Sequence, residues 1–112
     1  MRQQHNKLVR DRIPDLIRNA GHDFDVAVLS EAEYRQALRH KLLEEAQEAI
    51  DATVDQLAGE LADLLDVVDA LLESYEISPE VVLLARDQKR AERGGFSQKV
   101  KLLWTEVHQA HS

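Results

Sequence analysis

The chain has 112 residues, 44% of them hydrophobic and 31% charged, a formal net charge of −7 and no cysteine. That length supports one core rather than two, and the lack of cysteine excludes disulfides and thiolate metal sites. No stretch reaches the roughly 18 uninterrupted apolar residues of a membrane span, and the opening MRQQHNKLVRDR lacks the apolar run of a signal peptide. The expectation is one soluble, cytoplasmic helical domain over residues 1–112.

Lys7-Leu8-Val9 reads as a short extended segment. Asp11 is the expected N-cap of a helix that tolerates Pro14 in its first turn and runs to about Ala20, with Gly21 as its stop. Phe24 to Leu29 alternates in part, as a strand or an extended connection would. Ser30 with Glu33 forms a capping box opening a long helix through about Asp51. Thr53 with Gln56 repeats that signature for a second long helix ending near Tyr75. The link around Ala52 is so short that the two helices must be antiparallel neighbours. Gly59 lies inside the second helix at a cost near 1 kcal/mol relative to Ala, a position that suits close approach by a ligand or another backbone. Ser78-Pro79-Glu80 supplies an N-cap, an N1 proline and a first-turn acid for a third long helix, which stops at Gly94-Gly95 after Arg90 and Arg93. The segment from Phe96 to Trp104 is apolar enough to dock. The fold class is therefore all-α, an antiparallel helical bundle with short extended terminal segments.

Charge is partitioned along the chain. Twelve acids and no Lys or Arg lie between Glu44 and Glu80, while Arg2, Lys7, Arg10, Arg12 and Arg18 lie before them and Arg86, Lys89, Arg90, Arg93, Lys99 and Lys101 after. An acidic centre repels phosphates, so neither nucleic acid nor a membrane is an expected partner. It suits instead an anion bound through a cation, with basic side chains around it.

Two acid clusters occupy the long helices: Glu44-Glu45-x-x-Glu48 and Glu60-x-x-Asp63. Residues three and four apart share a helical face, where like charges repel, so a cation is expected between them. At about 100° per residue, Glu45 falls inside the apolar arc of Tyr34, Leu38, Leu42, Ala49 and Ala52. Burying an ionised carboxylate there costs several kcal/mol unless a cation or donor compensates it. On the next helix Leu57, Leu61, Leu64, Val68, Leu71, Leu72 and Tyr75 form the apolar arc, with Glu60 at its border and Asp63 one step out. Packing through these arcs brings both acid pairs to one seam. Oxygen ligands without His or Cys indicate Mg²⁺, with Mn²⁺ as substitute. A carboxylate di-iron bundle wants Glu-x-x-His, which neither cluster has. His40 reads as solvent-facing, and His108-x-x-His111 lies in a tail. Leu43, Ala46 and Ile50 face away from the Leu38/Leu42 arc, and this second apolar face implies a homodimer or a tetramer built from dimers.

The acid signature resembles that of the MazG-like all-α nucleoside triphosphate pyrophosphohydrolase superfamily. Lys7 to Pro14 (KLVRDRIP) and Lys89-x-x-x-Arg93-Gly94-Gly95-Phe96 resemble its small single-domain branch, the phosphoribosyl-ATP pyrophosphohydrolase-like proteins, although the link between the acid helices is shorter than true phosphoribosyl-ATP hydrolases are expected to have. The resemblance implies hydrolysis of a nucleoside triphosphate to monophosphate and pyrophosphate. Glu45, Glu48, Glu60 and Asp63 would hold Mg²⁺, and Glu44, Glu45 and Glu48 would be the catalytic acids. Lys7, Arg10, Lys89 and Arg93 would bind phosphates, Asp66 would support the Glu60/Asp63 row, and Trp104 or Phe96 would stack on a base. The competing expectation is a non-catalytic helical oligomer whose acidic face binds a regulatory cation or a partner.

Overall fold

The computed structural model describes residues 1–108, which leaves His111 outside the described residues. All regular structure among them is helical: α1 (Ile13–Asn19), α2 (Glu31–Asp51), α3 (Val54–Ser74) and α4 (Pro79–Arg93). The chain divides into two compact units, one from Met1 to Pro79 and one from Glu80 onward. None of the helices is long and apolar enough to cross a membrane. Lys7 to Val9 and Phe24 to Leu29 form no strand.

Local chemistry sets the helix ends. The Ser30 hydroxyl accepts from the Glu33 N–H, and the Glu33 carboxylate accepts from the Ser30 N–H, both at 3.2 Å. These bonds hold the Glu33 carboxyl below its ordinary range. At the start of α3 the Gln56 side chain accepts from the Thr53 N–H at 3.4 Å. Helix α1 closes as a Schellman turn: Gly21 at φ +83° gives its N–H to Arg18, and the His22 N–H bonds to Ile17. Helix α3 ends in the same turn, with Ile77 bonded to Leu72 and Glu76, rather than a glycine, carrying the left-handed φ of +55°. The expected Asp11 cap is not the one used. Arg12, already in a helical conformation, is the N-cap of α1 and makes no side-chain capping bond. The turn begins one residue early, with the Ile13 N–H bonded to Arg10, so Asp11 lies before the cap.

Helices α2 and α3 pack side by side as an antiparallel hairpin linked through Ala52 and Thr53. Its open end is clasped by cations. Arg35 bonds the Ser74 hydroxyl at 3.1 Å and also its carbonyl, and the Arg39 Nε bonds the Tyr75 hydroxyl at 3.1 Å. The Arg35 guanidinium stacks 4.5 Å from the Tyr75 ring centre. The hairpin core is small: Leu38 and Val67 are the buried apolar side chains among the described residues, and Glu45 is buried with them.

The expected apolar arc of α3 turns inward in most of its length: Leu64, Val68, Leu71, Leu72 and Tyr75 are half-buried, as is Glu60 at its border. The buried α3 residue is Val67, beside that arc rather than in it. Leu57 and Leu61, expected within the arc, are turned out to 39% and 44% exposure, and Leu65 next to them to 63%. By helical periodicity Leu57, Leu61 and Leu65 lie on the flank of α3 away from Asp63, and Leu43 and Ile50 of α2 are exposed on its outer flank. The hairpin therefore has an acidic edge and an apolar one.

The second unit contains α4 from Glu80 and the segment beyond Gly94. Phe96 and Trp104 are exposed, so the apolar tail expected to dock is uncovered.

A methyl group added at Gly59 meets nothing within 4 Å, so the close approach that this glycine suggested is not made within the chain. Gly59→Ala should raise stability by about 1 kcal/mol through helix propensity. Gly21→Ala should lower it by about 1–2 kcal/mol, because φ +83° is strained for an L side chain. Urea titrations of the two variants check both signs.

Candidate metal centre

Glu45 occupies the middle of the α2 face that meets α3, and Glu60 meets it from α3 about two turns after the hairpin link. One carboxylate oxygen from each of Glu45, Glu60 and Asp63 can be chosen so that all three lie within 4.8 Å of one another. Glu48, more exposed, stands near enough that its charge raises the proton affinity of both Glu45 and Glu60. Glu45, Glu48, Glu60 and Asp63, read from the sequence as one set, are thus neighbours.

Glu48 brings an acceptor to two other acceptors, which satisfies neither. Glu45 Oε2 and Glu60 Oε2 are buried and accept no hydrogen bond. Leaving such atoms unpaired costs on the order of 1–3 kcal/mol each, more when they are charged. Burial raises the proton affinity of Glu45, the Glu48 charge raises it further, and Lys41 only partly offsets them. Burial is also the leading cause of the upward shift at Glu60, followed by its contacts with Glu48 and the charges of Asp63 and Glu45.

The cations of this unit stand at the margins of the cluster. Lys41 Nζ lies 3.4 Å from Glu44 Oε2 and 3.5 Å from Glu45 Oε1. Glu44 is therefore half-buried and ion-paired rather than directed at the other acids. Arg10, from the segment before α1, reaches the Asp63 Oδ1 at 2.8 Å and the Asp66 Oδ2 at 2.6 Å. These two aspartates hold its guanidinium still more firmly protonated.

Sequence reasoning assigned Lys41 no role. Its signal was legible, because a lysine three and four residues before two acids shares their face. The Arg10 bridge spans 53 and 56 residues and had no local signal. Lys7 is exposed in the segment leading to Arg10, and Lys89 and Arg93 are exposed on α4 in the second unit. His40 is exposed, as expected.

Two surface concavities of the described residues lie away from the cluster. One, of about 580 Å³, lies at the open end of the hairpin and is lined by Asp11, Glu31, Tyr34 and Glu73 among others. The other, of about 490 Å³, is formed by Arg93 to Val100 in the second unit.

Chemically, the arrangement suits a hard divalent cation. Two oxygens are buried and unpartnered, the donors are all carboxylates, and no nitrogen or sulfur ligand joins them among the described residues. Compared with protein-family models, curated proteins and solved structures, the chain matches none.

The raised proton affinities fix the sign of a pH test. Folding strengthens proton binding at Glu45 and Glu60, so their contribution to stability is fully present below the ordinary glutamate value of 4.5 and is lost as pH rises through the folded values. In chelator at pH 8, Glu45→Gln should therefore be the more stable protein, by on the order of 1 kcal/mol, and the gap to wild type should close toward pH 4. Added Mg²⁺ should raise the melting temperature of wild type and not of the variant. Melting curves across pH, with and without Mg²⁺, read both effects.

Proposed function

We propose that this protein hydrolyses a nucleoside triphosphate to the monophosphate and pyrophosphate, with Mg²⁺, or Mn²⁺ in its place, held by Glu45, Glu48, Glu60 and Asp63. The observation that carries the metal site is the pair of buried carboxylate oxygens, Glu45 Oε2 and Glu60 Oε2, that accept no hydrogen bond where two helices meet. A scaffold gains nothing from keeping that pair, since apolar residues in their places would be neutral or stabilising. The nucleotide substrate rests on the resemblance of the acid signature and its flanking motifs to the MazG-like pyrophosphohydrolases. It is also consistent with basic residues before and after an acidic centre.

When bound, the cation offsets the charge of the triphosphate oxygens and of the transition state. The chain's own residues do the rest. Glu48, the more exposed of the clustered acids, accepts the proton of the attacking water, with Glu44 held close by Lys41. The water oxygen bonds to the α-phosphorus, the bond from that phosphorus to the bridging oxygen breaks, and pyrophosphate leaves with the electron pair. The resemblance implies that Lys7, Lys89 and Arg93 would bind the outer phosphates.

The working protein is a homodimer, or a tetramer built from dimers, joined through the apolar edge opposite the acids. Leu57, Leu61 and Leu65 with Leu43 and Ile50 form that edge, and all of them are exposed in a unit whose apolar core is Leu38 and Val67. A second copy is the natural cover for a hairpin this poor in buried surface.

Pyrophosphate release from a panel of ribo- and deoxyribonucleoside triphosphates, measured with Mg²⁺, tests the activity. Wild type should release it, and Glu48→Gln and Asp63→Asn should each fall by at least about 100-fold, as removal of a transition-state contact does. No release from any triphosphate would favour a non-catalytic oligomer with a cation-binding face. In sedimentation experiments wild type should run as a dimer or tetramer. Leu61→Glu should shift it to monomer or unfold it, while Asn19→Asp, on the exposed surface of α1, should not.

A further inference from the structure

Asp63 and Asp66 stand three residues apart on α3 and share a face. Both are met by one guanidinium, from a segment with no regular structure of its own. Each terminal nitrogen of Arg10 serves a different carboxylate: Nη2 takes Asp63 Oδ1 and Nη1 takes Asp66 Oδ2. The planar fork fixes both carboxylates relative to one another in a way that a lysine could not. As a source of stability the bridge is weak, because the three side chains are 57%, 41% and 60% exposed and exposed ion pairs contribute little. What it does set is the direction of Asp63, whose carboxylate is one of the three that converge with Glu45 and Glu60.

We infer that Arg10 is a positioning residue of the acid site, orienting Asp63 as a ligand through the bridge to Asp66. This rests on the metal-site reading above. It gives Arg10 a role different from the phosphate contact expected of it, since both terminal nitrogens are already engaged by carboxylates. Groups hydrogen-bonded to metal ligands in this way typically account for about 10–100-fold in metal affinity.

The test is Mn²⁺ binding to the full-length protein, read from the loss of the free-ion paramagnetic resonance signal, together with melting in chelator. Arg10→Gln should weaken Mn²⁺ binding about 10-fold or more, and Asp66→Asn should weaken it in the same direction. Arg10→Lys should recover part of the loss, and all three variants should melt in chelator close to wild type. Equal or tighter Mn²⁺ binding by Arg10→Gln overturns the inference, because Arg10 would then be a rival cation or a bystander. A lowered melting temperature with unchanged Mn²⁺ affinity overturns it in favour of a structural bridge. Failure of wild type itself to bind Mn²⁺ removes the carboxylate site and this inference with it, and is recognisable from the wild-type titration alone.

Discussion

Glu45 and Glu60 confront each other across the seam between α2 and α3 with an oxygen apiece that nothing satisfies. Every other feature of the first unit can be understood as making that confrontation tolerable. Lys41 offsets part of the charge at Glu45 from within its own helix, and Arg10 offsets Asp63 from a distant segment. The raised proton affinities of the two glutamates express the remaining imbalance. A proton relieves it at low pH and, on the proposed reading, a divalent cation would relieve it at neutral pH, each stabilising the fold that the bare acids strain.

The hairpin is held where the acids are not. At its open end Arg35 and Arg39 grip Ser74 and Tyr75, and at its closed end Ala52 and Thr53 leave no slack. Between these points the seam has room for carboxylates because α3 is rotated to bring Glu60 inward and to leave Leu57, Leu61 and Leu65 outward. One rotation thus sets two surfaces at once: an acidic edge suited to a cation, and an apolar edge suited to a second copy of the chain.

The second unit carries more basic residues than acidic ones, together with exposed apolar side chains. Lys89 and Arg93 lead into Gly94, whose φ of +81° ends α4 where the charge of the helix C-terminus favours cations.

Much of this was legible in the residues themselves. The limits of α2 and α3 follow from capping pairs three residues apart, the stop of α1 from Gly21 and that of α4 from Gly94, because these signals act within one turn of backbone. The burial of Glu45 followed from helical periodicity alone, and so did the grouping of four acids on two facing helices. The half-burial of Leu64, Val68 and Leu71 followed as well; the outward turn of Leu57 and Leu61 did not, since the most apolar arc of an isolated helix need not be centred on its partner. Nor did the Arg10 bridge to Asp63 and Asp66, which joins residues far apart in sequence. Short-range bonding along the backbone determined where helices begin and end and which acids share a face. Only tertiary contact could decide which face turns inward and which distant cation reaches the acids, because those energies arise between elements rather than within them.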